Sequence, residues 1–312
     1  MVFAKEEITW IQNQRLDFIK RVLITGSNGT IGSELLLEFE KCEFQCLLLR
    51  RSIEENLDIE NTNFEQVNGD IEDEQSLDKD LWGATHIFHL AGLTHSLSPK
   101  KYFRINYDGT ANLVRIAEKC KAKRFFYIST QAIGKEGGAY SHSKQLAEDY
   151  IKKSTLDWTI IRPSEIYGET IKSSIDSLVN LIKLLPVIPV IGNGKCTFNP
   201  LFIKDFTDFI YKLAQDNGNK AVYKTYTLTG PQKFNYIELI DSICSSIAKK
   251  KRIIFIPIIA IKPLIYVFSS LRIIQVTPDQ LPRLTMEKQY DITEAIQDYG
   301  FNPTSYLKFL NK

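Results

Sequence analysis

The chain has 312 residues, 44% of them hydrophobic and 24% charged, which is typical of a soluble globular protein that buries a full core. Its net charge of +2 gives no basic surface of the kind that nucleic-acid binding needs, so we expect no nucleic-acid partner. The five cysteines form no C-x-x-C pair, which favours reduced thiols in a cytoplasmic protein.

Residues 1–19 precede the first predicted strand and carry Lys5, Glu6 and Glu7 in place of a long apolar run. This composition is not that of a signal peptide. We interpret the segment as an N-terminal extension. A short amphipathic helix packed on the rest of the protein is one structure that it could adopt.

Six short apolar runs in the first half of the chain are predicted to be β-strands that alternate with helices. The predicted strands span 21–25, 46–49, 64–67, 85–90, 124–128 and 158–161, and helical patterns occupy 30–40, 102–119 and 140–152. Strands that are apolar on both faces belong to a parallel sheet covered by helices, and right-handed crossovers make such a sheet doubly wound. The sequence therefore predicts a Rossmann-like α/β fold with ligands beyond the carboxyl ends of the strands.

A glycine-rich segment, residues 26–32 (GSNGTIG), connects the first predicted strand to the first helix. Glycines allow a tight turn there, and the start of the helix supplies N–H groups and a partial positive charge to a phosphate. In this context the motif predicts a dinucleotide site. The predicted cofactor contacts in the loop are Gly26, Asn28, Gly29, Thr30, Ile31 and Gly32.

The G-x-x-G-x-x-G spacing resembles the cofactor loop of the extended short-chain dehydrogenase/reductases, the family of NAD(P)-dependent NDP-sugar epimerases and dehydratases. The resemblance runs from Arg21 to the end of the chain. It implies further cofactor contacts just after the third, fourth and sixth strands. These are Asp70, Ile71, Leu90, Ala91, Gly92 and Pro163.

Two arginines, Arg50 and Arg51, follow the second strand, where the resembled epimerases usually carry Asp. A carboxylate there accepts a hydrogen bond from the ribose of NAD, whereas an arginine suits the 2′-phosphate of NADP. We therefore favour NADP over NAD. A solvated arginine pair at a strand end is the alternative interpretation.

Tyr140 and Lys144 open a predicted helix and lie one turn apart on the same face. An unperturbed tyrosine has a pKa near 10, so its hydroxyl group stays protonated at neutral pH and cannot act as a base. A neighbouring cation favours the phenolate. The Y-x-x-x-K spacing resembles the catalytic pair of the family. The resemblance implies a third member, Thr130, which hydrogen-bonds the reacting oxygen, with Ser129 as the fallback.

The residues after Thr130 are Gln131 and Ala132, where the sugar 4,6-dehydratases of the family carry an Asp-Glu pair. Dehydratase chemistry is therefore disfavoured. No histidine spacing indicates a metal site, and we interpret His89 as a packed core residue.

On the substrate side, the segment 162–168 (RPSEIYG) resembles the family segment that borders the substrate and points to Ser164. The family's diphosphate-binding arginine is missing from the loop near Phe198, where only Lys195 is close. Arg283 and Lys288 are candidates to replace it.

After Pro163 the alternation of strands and helices becomes irregular, which indicates a smaller C-terminal α/β substrate lobe. We divide the chain into the extension (1–19), an NAD(P)-binding Rossmann domain (20–168) and a mainly substrate-binding lobe (169–312), from which some segments could return to the first domain.

Residues 253–276 are strongly apolar but are interrupted by Pro257, Lys262, Pro263 and Arg272, so we predict no membrane span. We interpret them as a strand that ends at Pro257 and a buried helix. Contact with a membrane surface or a partner is the alternative.

Three functions fit these residues. The first is a nucleotide-sugar epimerase in which Tyr140 takes the proton of the C4 hydroxyl group. The second is an NADP(H)-dependent reductase or dehydrogenase of a ketosugar or another carbonyl compound. The third is a non-catalytic cofactor-binding subunit. The resemblance also implies a homodimer.

Overall fold

The computed structural model describes residues 20–41, 43–52, 63–77, 83–171, 173–261, 265, 277–284, 288 and 290–310. The predicted N-terminal extension lies outside these residues. So does most of the helix predicted after Pro257.

The described strands alternate with helices over the first half of the chain, as predicted. The strands are β1 Arg21–Thr25, β2 Gln45–Arg50, β3 Phe64–Asn68, β4 His86–His89, β5 Arg124–Ile128, β6 Asp157–Pro163, β7 Ile166–Tyr167, β8 Val187–Ile191, β9 Thr197–Phe198, β10 Leu201–Phe202, β11 Lys224–Leu228, β12 Phe234–Asn235 and β13 Arg252–Ile256. The α-helices are α1 Thr30–Phe39, α2 Glu74–Leu77, α3 Pro99–Tyr102, α4 Gly109–Lys119, α5 Gly138–Ile151, α6 Ser174–Leu184, α7 Ile203–Gln215, α8 Tyr236–Ser246, α9 Thr293–Tyr299 and α10 Tyr306–Leu310. A π-helical segment, Phe103–Asp108, joins α3 to α4, and 3₁₀ turns span Lys135–Gly137, Pro278–Gln280 and Pro282–Leu284.

Seven of the strands form one parallel sheet in the order β3-β2-β1-β4-β5-β6-β11. Both of its faces are covered. In β1, Val22 and Ile24 point into one hydrophobic core and Leu23 points into the other, which explains why the middle of the strand is apolar on both faces. The prediction of a doubly wound α/β sheet is confirmed. The strand order reverses between β1 and β4, where such sheets bind ligands beyond the carboxyl ends of the strands.

The seventh strand, β11, comes from the C-terminal half of the chain and pairs with β6. Its sequence, KTYTL, alternates polar and apolar residues because only Tyr226 and Leu228 are buried in this edge strand. Most of the six predicted strands are nearly continuous apolar runs, and this alternating pattern was not assigned to the same sheet.

The second lobe packs α6, α8 and α10 around a core of its own. Its small sheets pair β8 with β13, β7 with β10 and β9 with β12. The strand predicted before Pro257 is present as β13, although Ile254 in it is 56% exposed. Among the described residues, none of the helices is both long and apolar enough to cross a bilayer.

Candidate functional site

The glycine loop folds tightly between β1 and α1 at the point where the strand order reverses. Gly26 has a φ of 73°, and a Cβ atom on it would lie 2.6 Å from the backbone nitrogen of Ala91. A Cβ atom on Gly32 would lie 2.7 Å from the Cα atom of Ser27. Side chains are therefore excluded at both ends of the loop, and the backbone reaches the end of β4.

The N-terminus of α1 is suited to an anion. Its N-cap is Gly29, which offers no side-chain hydrogen bond, and the first turn contains no acidic residue. Asn28, Gly29 and Thr30 are exposed. The first N–H groups of the helix and the positive end of its dipole are thus available to a phosphate. These residues fit the pyrophosphate of a dinucleotide.

The other predicted cofactor residues lie along the carboxyl edge of the sheet. The Asp70 carboxylate accepts a hydrogen bond of 2.9 Å from the backbone nitrogen of Glu72. Ile71 packs against Gly109, where an added Cβ atom would lie 3.0 Å from its side chain. The Pro163 carbonyl accepts a hydrogen bond from the Gln131 nitrogen.

Arg50 and Arg51 differ in their surroundings. Arg50 is only 7% exposed, and its Nη1 atom donates to the Gln66 side chain across β3 at 3.4 Å. Arg51 is exposed. Arg50 is thus not the solvated surface residue of the alternative interpretation, although its partner in the described structure is an amide.

Lys144 connects the helix α5 to the cofactor edge. It is 4% exposed, its Nζ atom donates to the Ile128 carbonyl at 2.7 Å, and it lies 4.2 Å from the centre of the Tyr127 ring. A Cβ atom added to Gly92 would lie 3.7 Å from this Nζ atom. Burial lowers the pKa of Lys144 to about 7, and the Glu148 carboxylate partly opposes that shift.

Tyr140 lies in the first turn of the same helix. Burial raises the pKa of its hydroxyl group, while the positive charge of Arg283 and a side-chain hydrogen bond with Thr130 lower it. The Tyr102 ring packs edge-on against the Tyr140 ring at 6.0 Å. Thr130 thus lies close enough to Tyr140 to lower the pKa of its hydroxyl group, and Lys144 follows one helical turn later.

The hydroxyl group of Ser129, the fallback residue, is engaged elsewhere. It donates to the Glu148 carboxylate at 2.6 Å. Glu148 is completely buried and also accepts from the Arg162 Nε atom at 2.9 Å. Glu148 lies one turn beyond Lys144 on the same helix. This i, i+4 spacing of a lysine and a glutamate is visible in the sequence and could have indicated Glu148.

The predicted substrate residues do not form one cluster. The Ser164 hydroxyl donates to the Asn199 carbonyl at 2.5 Å, and Lys195 lies on an exposed turn. Lys288 is buried and paired with the Glu165 carboxylate. The Arg283 guanidinium lies 4.5 Å from the centre of the Tyr140 ring.

His89 is a core residue, as predicted. It is fully buried, and its two ring nitrogens make hydrogen bonds with the side chains of Thr25 and Thr110 at 2.7 and 2.9 Å. The Thr25 hydroxyl also accepts from the Ala91 nitrogen. His89 therefore braces the ends of β1 and β4 beneath the glycine loop.

The chain is similar to known proteins over most of its length. The UDP-glucose 4-epimerase of Vibrio cholerae is 24% identical over 93% of this chain and 92% of its own length. Among solved structures, the dTDP-glucose 4,6-dehydratase of Streptomyces venezuelae, with NAD and TYD bound, aligns with a TM-score of 0.73 over 93% of this chain and 94% of its own, at 17% identity. The UDP-glucuronic acid 4-epimerase of Bacillus cereus, in complex with UDP-glucuronic acid and NAD, aligns with a TM-score of 0.72 over 93% of this chain and 96% of its own, also at 17% identity.

Residues 22–228, about two thirds of the chain, match the model of the NAD dependent epimerase/dehydratase family. This match covers the glycine loop, Thr130, Tyr140 and Lys144. The chain belongs to the NAD dependent epimerase/dehydratase family.

Proposed function

We propose that the protein is an NAD(P)-dependent epimerase that inverts the C4 hydroxyl group of a nucleotide sugar by transient oxidation. The observation that carries the proposal is the position of Tyr140. It lies near Thr130, at the start of the helix whose Lys144 reaches Gly92 at the cofactor edge. The family membership and the similarity to a UDP-glucose 4-epimerase over nearly the whole chain support it.

In this proposal the dinucleotide is held by the glycine loop and by the residues that follow the strands of the sheet. The backbone N–H groups at the start of α1 bind its pyrophosphate, and Lys144 binds the ribose next to the nicotinamide. Bound NAD(P) supplies reversible oxidation of a carbon–hydroxyl bond.

Tyr140 acts as the general base in the first half of the reaction and as the general acid in the second half. Its phenolate accepts the proton of the C4 hydroxyl group as the sugar becomes a 4-keto sugar, while Thr130 holds the reacting oxygen by a hydrogen bond. After the keto sugar has rotated in the site and presents its other face, Tyr140 returns the proton to the same oxygen. The net reaction changes only the configuration at C4.

Dehydratase activity is not proposed. Water elimination needs an acid and a base beside the sugar in addition to the tyrosine. Gln131 and Ala132, which follow Thr130, are both largely buried, and neither can supply a carboxylate.

We also propose that the cofactor is NADP in preference to NAD, with Arg50 as the ligand of the 2′-phosphate. Arg50→Asp should weaken NADP binding by at least about tenfold and leave NAD binding within a fewfold, because a bidentate arginine–phosphate contact is lost. Dissociation constants of both cofactors, measured by calorimetry, check this. Arg51→Asp, at the exposed neighbouring position, is the comparison variant. If the ratio of the NADP and NAD dissociation constants is unchanged in Arg50→Asp, Arg50 is not part of the cofactor site.

A reductase of a ketosugar or another carbonyl compound is the second candidate. The ion pairs made by Arg283 and Lys288, the predicted diphosphate ligands, favour this candidate. Arg283 and Lys288 are each paired with a carboxylate, Asp279 and Glu165, so a diphosphate would have to compete with that carboxylate for each cation.

The proposal is tested by incubating the purified protein with UDP- and dTDP-hexoses without added cofactor and following the sugars by proton NMR. An epimerase converts one substrate into a mixture with its C4 epimer. Consumption of a keto substrate only when NADPH is added would identify a reductase and overturn the proposal.

A further inference from the structure

A short segment far along the chain caps the helix that carries Tyr140. Residues 277–284, which we name the C-terminal arm, contain the two 3₁₀ turns Pro278–Gln280 and Pro282–Leu284. The Asp279 carboxylate in this arm accepts hydrogen bonds from the backbone nitrogens of Ala139 at 2.6 Å and Tyr140 at 3.3 Å. The first turn of α5 is thus capped by a residue about 140 positions away.

The start of α5 lacks a cap from its own sequence. Its N-cap, Gly137, makes no side-chain hydrogen bond, and its first turn contains no acidic residue. Gly138 has a φ of 88°, and a Cβ atom there would lie 2.6 Å from the Asp279 Oδ1 atom. The first N–H groups of the helix are therefore open to a cap from elsewhere, and the absence of a side chain at Gly138 makes room for the Asp279 carboxylate.

The same arm places a cation on the Tyr140 ring. The Arg283 Nη2 atom pairs with the Asp279 carboxylate at 3.4 Å, and the Arg283 guanidinium carbon lies 4.5 Å from the centre of the Tyr140 ring. Deprotonation of a phenol makes its ring richer in electrons, so a cation over the ring is attracted more strongly to the phenolate than to the phenol.

Several other groups that titrate or carry charge surround Tyr140. Lys144 comes from the same helix, Tyr102 from α3 and Tyr127 from β5, while the arm supplies Asp279 and Arg283. The buried Lys144, with a pKa of about 7, carries only part of a charge at neutral pH. The guanidinium group of Arg283 supplies a second positive group, directly over the ring.

We propose that the C-terminal arm positions and activates Tyr140, with Asp279 fixing the backbone of its helical turn and Arg283 stabilising its phenolate. Both are positioning residues, since they act through Tyr140. The effect on turnover rests on the proposed function, but the effect on Tyr140 itself does not.

The direct test is a spectroscopic pH titration of Tyr140 in the full chain. The phenolate absorbance of the protein minus that of its Tyr140→Phe variant isolates this one tyrosine. Arg283→Met removes the cation and should move the titration of Tyr140 to higher pH by about half to one unit. Arg283→Lys keeps a charge and should restore most of the difference.

Lys220→Met is the matched control, because Lys220 lies 5.6 Å from the ring centre of another tyrosine, Tyr299. It should leave the Tyr140 titration unchanged. If Arg283→Met does not fold, Arg283→Gln provides the same comparison. A Tyr140 titration that is the same in the protein and in a folded variant without the charge would overturn the inference.

Turnover provides a second readout. In an active enzyme, Arg283→Met should move the acidic limb of the pH profile of kcat/KM to higher pH, and Asp279→Ala should lower kcat more than it changes KM. A rise in KM alone in Arg283→Met, with an unchanged pH profile, would make Arg283 a substrate ligand and overturn the inference. If Tyr140 responds to Arg283 in a protein without epimerase activity, only the proposed function fails.

Discussion

Tyr140→Phe is expected to lower kcat by about 10²- to 10⁴-fold, the usual contribution of a positioned acid–base group. The substitution removes one oxygen atom. The contacts of the ring with Tyr102 and Arg283 do not need that oxygen, so the fold and the affinity for the cofactor should stay close to those of the unchanged protein. Initial rates with the substrate identified by NMR, together with cofactor dissociation constants, measure both effects.

The matched control is Tyr150→Phe, on the same helix. The Tyr150 hydroxyl accepts a hydrogen bond of 3.4 Å from Arg115 and has no contact with Tyr140 or Lys144 among the described residues. This variant should keep its activity. A Tyr140→Phe variant that turns over at the rate of the control would remove Tyr140 from the mechanism, and with it the proposed role of Thr130.

Lys144→Met is expected to have two opposite effects, a loss of activity and a gain of stability at neutral pH. Activity falls because the proposed ribose ligand and a neighbour of Tyr140 are lost. Stability rises because a charged lysine no longer has to be buried. We expect the free energy of unfolding to increase by about 1–3 kcal/mol, after allowance for the lost hydrogen bond to the Ile128 carbonyl.

The gain should depend on pH in a defined direction. Burial lowers the pKa of Lys144 to about 7 in the folded chain, whereas an unfolded lysine titrates near 10.4. Between these values the unfolded chain binds the additional proton, so the stability contributed at this site increases as the pH rises. The advantage of Lys144→Met should therefore be largest below about pH 7 and should shrink towards about pH 10.

Urea unfolding at both ends of that range measures the difference in the free energy of unfolding. Lys153→Met is a suitable control, since Lys153 is exposed just beyond α5. Its effect on stability should be small at either pH. A Lys144→Met variant that is less stable than the unchanged protein near pH 7 would show that the ammonium group stabilises the fold.

The sequence was sufficient to predict most of the sheet. Strands that are buried on both faces have apolar residues at successive positions, and β1 and β5 have the predicted bounds. The glycine loop and the Tyr140–Lys144 spacing are local patterns within one turn or one loop. Such patterns can be read without knowing what packs against them.

The parts that could not be predicted depend on contacts between distant segments. Asp279 and Arg283 meet α5 across about 140 residues, and nothing local in an Asp followed four residues later by an Arg indicates a helix cap. The edge strand β11 buries only alternate residues, and its polar positions conceal it. The hydrogen bond from Ser129 to Glu148 is likewise a contact between separate elements of the fold.

Whether the protein oxidises and then reduces the same sugar is tested most directly by mass spectrometry of the nucleotide released when freshly purified protein is denatured. An epimerase regenerates its cofactor in each cycle and has no need to release it, so we expect oxidised NADP or NAD in nearly stoichiometric amount. A protein that is empty as purified but binds added NADPH reversibly would contradict the proposed epimerase, because a reductase must exchange its cofactor at every turnover.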